Sequence, residues 1–111
     1  MKISDDAEGW NLVIWRCQPL HEDHIAVVRR LLKEGSKVCI GIRKSILNED
    51  NPFTMQERIG MIKREFKREL KKGTVCYVAL PNIKTICYGS NLAWNIREII
   101  IGDDRDEIIK N

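Results

Sequence analysis

Apolar residues in this chain follow two patterns, short continuous runs and stripes with helical spacing. Residues 10–15, 37–42 and 74–80 are short apolar runs, which we interpret as three strands. The second and third runs are continuous, as is typical of strands buried on both faces of a parallel sheet. The pattern therefore predicts a parallel sheet that begins with these three strands.

Two helical stripes lie between the three predicted strands. The first helix starts near His24 and carries an apolar stripe, Ile25, Val28, Leu31 and Leu32. The second starts at a capping box formed by Thr54 and Glu57. Its stripe holds for four turns, through Met55, Ile59, Ile62, Phe66 and Leu70. Gly35 and Gly73 are placed to end the two helices.

The alternation of strands and helices predicts the fold class. Residues 83–87 predict a short fourth strand and residues 96–101 a fifth. Helices between the first three strands favour a parallel sheet with right-handed crossovers. We therefore predict one α/β domain over residues 1–111, with about five parallel strands flanked by helices. Residues 1–9 are expected to be a loose lead-in and residues 103–111 a polar tail with at most one helical turn.

Composition narrows the range of partners. The chain has 111 residues, 43% of them hydrophobic, which is enough for one core but not for two domains. The net charge of +3 comes from 19 basic and 16 acidic residues, far from the excess of a dedicated nucleic-acid binder. We find no apolar leader and no run long enough to span a membrane. A cytoplasmic protein with no nucleic-acid or membrane partner is expected.

The cysteines do not predict a metal site. Cys17, Cys39, Cys76 and Cys87 show no C-x-x-C spacing, and Cys39 and Cys76 lie in apolar runs, where cysteine behaves as a small hydrophobe. Cys17 with the two nearby histidines lacks a fourth ligand at a plausible spacing. We expect a reducing compartment and no protein-bound metal.

Candidate chemistry begins where the first strand turns into the first helix. His21 and His24 stand three residues apart at the start of this helix. The free N–H groups and positive dipole end of a helix start attract anions, so this pair is predicted to face phosphate. Two further polar segments, residues 43–53 and 88–95, follow predicted strands. Ligands of α/β sheets bind outside the carboxyl ends of strands, so the three segments are expected to converge on one crevice.

The first segment resembles the signature of the cytidylyltransferase-like nucleotidyltransferases, the family of the HxGH motif. Its nearest version, G-R-F-Q-P-(F/L)-H-x-G-H, occurs in nicotinamide-nucleotide adenylyltransferases and related phage enzymes. The matching residues are Arg16, Gln18, Pro19, His21 and His24. Trp15, Cys17 and Asp23 stand where that version has Gly, Phe and Gly.

The other two segments resemble signatures of the same subgroup, in the same order. Gly41-Ile42-Arg43, then Asn51-Pro52-Phe53-Thr54 with Glu57-Arg58, resemble its G-I-R and N-P-(F/Y)-(T/S)-x-x-E-R motifs. Residues 87–99 resemble its C-Y-G-R-x-(V/L)-G-(W/Y)-x-I-R-E-I stretch. The resemblance covers roughly residues 12–101 and implies a Rossmann-like nucleotidyltransferase fold.

This resemblance implies a reaction. The family transfers a nucleoside monophosphate, here most simply adenylyl from ATP, to a phosphorylated acceptor such as nicotinamide mononucleotide, and releases pyrophosphate. The protein positions the in-line attack and forms no covalent intermediate. Mg²⁺ would arrive with the nucleoside triphosphate, and the family commonly forms oligomers, so we expect a homo-oligomer.

The resemblance also implies roles for individual residues. His21, His24 and Arg16 would form the catalytic group that holds the triphosphate. The implied nucleotide- and substrate-binding residues are Gln18, Pro19, Leu20, Arg43, Asn51, Pro52, Phe53, Arg58, Tyr88, Gly89, Trp94 and Arg97. Considered singly, the histidines could be surface caps, Arg43 and Arg58 could be solvated arginines, with Arg58 on the exposed face of the capped helix, and Trp94 could be a packing residue.

Two alternatives remain open at this point. Asp23 replaces a motif glycine and puts a carboxylate where the anion would sit, Ser90 replaces a motif arginine, and a family segment I-S-x-T-x-(I/L)-R would be expected where the chain ends. A degenerate relative that serves as a nucleotide-binding or regulatory module is therefore a second hypothesis. A third is nucleic-acid binding through the basic run at residues 63–72, which is usually a solvated helix face.

Overall fold

The computed structural model describes residues 9–91 and 94–101, together with the backbone of residues 106–110. The elements in chain order are β1 (Asn11–Trp15), α1 (Glu22–Lys33), β2 (Val38–Arg43), α2 (Met55–Glu65), α3 (Lys67–Lys72), β3 (Val75–Leu80), β4 (Asn95–Ile99) and β5 (Asp106–Lys110). The first three predicted strands and the first helix are confirmed. The predicted lead-in, apart from Gly9, lies outside the described residues, as do Leu92 and Ala93 of the third motif.

The strands form two separate sheets. β1, β2 and β3 pair side by side in that order, all parallel, whereas β4 and β5 pair antiparallel. The prediction of about five parallel strands is therefore wrong, because the parallel sheet has three. β4 pairs with β5 instead, and their antiparallel arrangement fits the connection, because six residues separate them whereas a parallel crossover needs a dozen or more.

Two further predictions in the last third of the chain are also wrong. Residues 83–87 form no strand; they lie in an exposed connection in which Ile86 is 65% exposed, so the apolar side chains have no buried face to pack on. Residues 106–110 form a strand and not a polar tail with a helical turn. Two consecutive β-branched residues, Ile108 and Ile109, favour this strand, which pairs them with Arg97 and Ile96.

The core lies on one face of the parallel sheet. Alternate residues of β2, Val38, Ile40 and Ile42, are fully buried. They share a cluster with Val28 and Leu31 of α1 and with Ile62 and Phe66 at the end of α2. Partners in parallel register point to the same face, and residues of β1 and β3 that pair with this face, Val13, Trp15, Val75 and Tyr77, belong to the same cluster. Both helices therefore cover the same side of the sheet.

The predicted second helix is interrupted at Phe66. Its capping box is confirmed, since the Thr54 hydroxyl accepts from Glu57 N at 3.1 Å and the Glu57 carboxylate accepts from Thr54 N at 2.9 Å. At Phe66 the backbone leaves helical geometry, with φ −112° and ψ 30°. Arg29 donates to the Glu65 carbonyl at 3.2 Å and lies 4.8 Å above the Phe66 ring. That carbonyl would otherwise accept from Glu69, so an inserted side chain explains the break.

Within the described part of the chain, no helix combines the length and the apolar character that crossing a bilayer requires.

Candidate active site

The two histidines cap the first helix. His21 is the N-cap of α1, and its Nδ1 accepts a hydrogen bond from Asp23 N at 3.1 Å. His21 N donates in turn to Nδ1 of His24 at 3.3 Å, and the two rings stack with centroids 4.5 Å apart. Because each Nδ1 accepts, the neutral rings carry their protons on Nε2. Each histidine therefore keeps one N–H donor for a ligand.

Trp15 extends this pair at the end of β1. Its ring lies 4.6 Å from the ring of His24, centroid to centroid. The pKa of His24 is lowered, first by burial and then by the charge of His21, while Asp23 acts in the opposite direction. His24 is therefore favoured as an uncharged donor at neutral pH. In the sequence Trp15 is only a departure from the motif, because its contact with His24, nine residues further on, forms only in the folded chain.

Gln18 ties the segment after β1 to the segment after β2. Its Nε2 donates to the Phe53 carbonyl and to the Ser45 hydroxyl, both at 2.9 Å, and its Oε1 accepts from Phe53 N at 2.9 Å. Both amide hydrogens are thus used within the protein. The structure places Gln18 as a link between loops, beside the cis peptide bond that joins it to Pro19.

Arg58 lies beneath the same two loops and is 2% exposed. Its Nη1 donates to the carbonyl of Arg16 at 2.8 Å and to the carbonyl of Arg43 at 2.7 Å, and its Nε donates to the Thr54 carbonyl at 3.3 Å. The interpretation of Arg58 as a solvated arginine on an exposed face is therefore wrong. A signal was present, since Arg58 stands three residues after Met55 and four before Ile62, on the buried stripe.

Cys17 lies next to this guanidinium. It adopts a left-handed backbone conformation, with φ 55°, and its side chain is 1% exposed. Burial raises the pKa of the thiol to about 11, and the charge of Arg58 partly offsets this effect. The thiol is therefore protonated at neutral pH and packs as an apolar group.

A cavity of about 460 Å³ opens at the carboxyl ends of the three parallel strands. Its lining residues come from the segments that follow the three strands: Arg16, Arg43, Lys44, Ser45, Ile46, Asn48, Asn51 and Asn82. Three of them are cationic and none carries a carboxylate. The cavity is therefore suited to an anion.

The two arginines of this cavity are held by amides. Arg16 Nη1 donates to Asn51 Oδ1 at 3.0 Å, and Arg43 Nη2 donates to Asn82 Oδ1 at 3.3 Å. Arg43 Nε is buried and has no hydrogen-bond acceptor among the described residues. An unpaired buried donor is unfavourable, so an acceptor supplied by a ligand would stabilise this side chain.

The first two predicted segments meet, and the third does not join them. Pro19 is exposed, Leu20 packs against the core, and Pro52 and Phe53 lie in the loop before α2. In the third segment Tyr88, Gly89 and Trp94 are exposed, with Trp94 at 71%. None of these three lines the cavity.

Arg97 is paired far from the histidines. Its guanidinium contacts both carboxylate oxygens of Glu34 at 2.7 and 2.8 Å. Glu34 is the C-cap of α1, whereas His21 is its N-cap. A helix of 12 residues is roughly 18 Å long, so the structure places Arg97 about one helix length from the proposed phosphate site.

Two other features help to define the site. Neither histidine lines the cavity, although Arg16, five residues before His21, does.

A second cavity, of about 400 Å³, lies near Trp10 and Val75 and contains none of the predicted site residues. The described residues include no cluster of three histidine, cysteine or carboxylate side chains that could hold a metal ion.

Comparison with known proteins finds archaeal relatives named nicotinamide-nucleotide adenylyltransferase. The one from Methanococcus aeolicus is 36% identical over 85 residues, which are 75% of this chain and 45% of the relative. The one from Thermoplasma volcanium is 41% identical over 59 residues, 51% of this chain and 33% of the relative. The one from Pyrobaculum neutrophilum is 34% identical over 83 residues, 71% of this chain and 43% of the relative.

The chain thus spans less than half the length of these relatives. No family model matches the chain. No solved structure matches it either.

Proposed function

We propose that this chain, an α/β protein similar to archaeal nicotinamide-nucleotide adenylyltransferases, is a nucleotidyltransferase that transfers the adenylyl group of ATP to nicotinamide mononucleotide and releases pyrophosphate. One observation carries the proposal. His21 and His24 direct their Nδ1 atoms into the backbone of a helix start, which leaves two Nε2–H donors for phosphate oxygens.

The histidines would act on the triphosphate. In adenylyl transfer negative charge grows on the oxygens of the α-phosphate as the acceptor phosphate attacks and pyrophosphate leaves. The two Nε2–H donors and the positive end of the α1 dipole would stabilise that charge. Mg²⁺ would accompany the triphosphate as part of the substrate.

The cationic cavity would receive a second phosphate group. Arg16 precedes the two histidines in the sequence and lines this cavity, together with Arg43 and Lys44. A phosphate that enters it would supply the acceptor that Arg43 Nε lacks. An acceptor that is itself a phosphomonoester fits this arrangement, because its phosphate is the attacking group in the proposed reaction.

The test is pyrophosphate release by the purified chain with Mg²⁺, ATP or CTP, and nicotinamide mononucleotide. The double variant His21→Ala/His24→Ala is the blank, and circular dichroism establishes that both proteins are folded. We expect release with ATP above the blank. Equal release from the two proteins, or none from the folded wild type, would refute the transferase.

One observation favours a second function, a nucleotide-binding module without turnover. The Asp23 carboxylate lies in the first turn of α1, beside the proposed phosphate site, and would repel the triphosphate. In that case ATP binding persists, is weak and sensitive to salt, and no pyrophosphate is released. Binding calorimetry alongside the release assay separates the two functions.

A further inference from the structure

Arg58 is a buried cation that donates to three backbone carbonyls and contacts no carboxylate of the described residues. We propose that Arg58 is a positioning residue: it sets the spacing of Arg16 and Arg43 and so shapes the anion cavity from below. The inference rests on the proposed function insofar as that cavity binds phosphate, but it does not require turnover.

The hydrogen bonds of Arg58 explain how it could act at a distance. A single nitrogen, Nη1, donates to the carbonyls of both Arg16 and Arg43 at 2.8 and 2.7 Å. These carbonyls belong to the first residue after β1 and the last residue of β2. One atom therefore fixes the distance between two backbone positions whose side chains line the cavity.

The side chains of the two positioned residues point to a common function. Arg16 and Arg43 each send their guanidinium to a different loop amide, at Asn51 and at Asn82. Arg58 binds the backbone carbonyls of both residues, while their side chains line the cavity. A shift of the shared anchor would move both charges relative to a bound anion, and displacements of this kind carry large penalties in binding and reactivity.

Arginine is suited to this position for geometric reasons. Its planar guanidinium presents several N–H donors in a fixed arrangement, whereas a lysine ammonium is a single point on a flexible stem. Here the guanidinium uses Nη1 and Nε to hold three carbonyls from the loop after β1, the end of β2 and the start of α2. Lysine at this position keeps the positive charge but loses the fixed planar arrangement of N–H donors.

The positive charge of Arg58 also favours an anion in the cavity. A buried cation is unfavourable unless it is compensated, and here the compensation comes from carbonyl dipoles, with no carboxylate paired to it among residues 9–91 and 94–101. An anion in the cavity above would add compensation from the ligand. Burial lowers the pKa of Arg58, but an arginine remains charged at neutral pH.

The test is a double-mutant cycle read out by binding of inorganic pyrophosphate. Arg58→Lys, Arg43→Ala and the double variant are measured by calorimetry, with Arg64→Lys, an exposed arginine of the same helix, as the matched control. If Arg58 acts through Arg43, the two losses are not additive, and the coupling is about fivefold or more in Kd. Additive losses, or unchanged affinity in Arg58→Lys, would overturn the positioning role.

A second measurement distinguishes repositioning of the two cavity arginines from a general loss of structure in Arg58→Lys, which would move the signals of all three arginines. Arginine Nε–H resonances are recorded by nuclear magnetic resonance for the wild type and Arg58→Lys without ligand. We expect the Arg16 and Arg43 signals to shift while the signal of the distant Arg97 stays in place. Shifts in none of these signals would refute the proposal.

The outcomes separate the two proposals. Pyrophosphate binding with coupling but without turnover supports the positioning role and refutes only adenylyl transfer. Failure of the folded wild type to bind pyrophosphate at low ionic strength would overturn the positioning role, because the cavity would then not be an anion site, whereas adenylyl transfer is decided by the release assay alone.

Discussion

The ring of Trp15 lies tilted against the ring of His24, with centroids 4.6 Å apart and an interplanar angle of 32°. His24 stacks in turn on His21. The three rings form a column that joins the end of β1 to the start of α1. The middle ring of this column is the one whose pKa is lowered by burial.

Replacing Trp15 should therefore change the titration of His24. In Trp15→Leu the imidazole is more hydrated, and we expect its pKa to rise toward the ordinary value of about 6.5. The measurement is a proton magnetic resonance titration of the ring Hε1 signal. Trp10→Leu is the matched control, because Trp10 lies beside Lys37 and not beside a histidine. A His24 pKa that stays in place or falls would show that Trp15 does not shield the ring.

Removing the charge of Asp23 should strengthen ATP binding. Asp23→Asn keeps the shape of the side chain and removes a negative charge from the proposed phosphate site, for an expected gain of about fivefold in affinity at low salt. The gain should shrink as salt screens the interaction. Binding calorimetry at two ionic strengths is the measurement.

Glu22→Gln is the control for this experiment, since Glu22 is the other acidic residue in the first turn of α1. It should have the smaller effect, because only Asp23 interacts with His24. Equal gains in the two variants would indicate a general charge effect, and no gain in Asp23→Asn would mean that phosphate does not bind at this helix start.

Arg97 should be dispensable for ligand binding. The family resemblance implies a role in binding, but the structure pairs Arg97 with Glu34 at the other end of α1. In Arg97→Gln we expect unchanged affinity for ATP and nicotinamide mononucleotide. We also expect a rise in the pKa of Glu34, because the hydrogen bond from Arg97 is the largest cause that lowers it.

Arg43→Gln serves as the comparison for Arg97, since Arg43 lines the cavity, and it should weaken binding. Carboxyl titration by magnetic resonance and calorimetry give the two readouts. If Arg97→Gln weakens binding as much as Arg43→Gln does, the ligand reaches β4.

The capping box at the start of α2 should make a measurable contribution to stability. Thr54→Ala removes the hydroxyl that accepts from Glu57 N, at a cost of about 1 kcal/mol in the free energy of unfolding. A melting temperature about 4 °C lower is expected for a domain of this size. Thr54→Ser should restore most of the loss, and Thr85→Ala, in an exposed loop, should change nothing. Equal melting temperatures for Thr54→Ala and wild type would contradict this role.

The predicted parts of the fold are those whose information is local. The apolar run in β2 and the stripe of α1 predict their elements because burial of each follows from its own periodicity. The capping box was predicted for the same reason, since its two partners stand three residues apart.

The parts that escaped prediction depend on distant partners. The break at Phe66 involves Arg29, 36 residues before Glu65 in the chain. The burial of Arg58 involves a carbonyl 42 residues away. The strand predicted at residues 83–87 had suitable residues but no neighbour to pair with. Local patterns specify which residues can form an element, whereas tertiary contacts decide whether they do.

Some parts of the candidate site could be predicted from the sequence and others depend on tertiary contacts. The motif residues before α1 and before α2 meet because both follow neighbouring parallel strands, as the topology rule predicts. Arg97 could not be placed from the sequence, since β4 belongs to a different sheet. The column of Trp15, His24 and His21 could not be foreseen from the motif, which has glycine at the first of these positions.

The imidazole cap at the start of α1 couples the stability of the protein to the protonation of His24. Nδ1 of His24 can accept the hydrogen bond from His21 N only while that nitrogen carries no proton. Protonation of His24 therefore breaks this bond and weakens the start of α1. The folded state lowers the pKa of His24, and the unfolded chain therefore takes up this proton first. Stability from this group is complete above the unfolded value of about 6.5 and is lost as the pH falls below it. A thermal melt across this range therefore follows the protonation of His24 in the candidate site without any substrate.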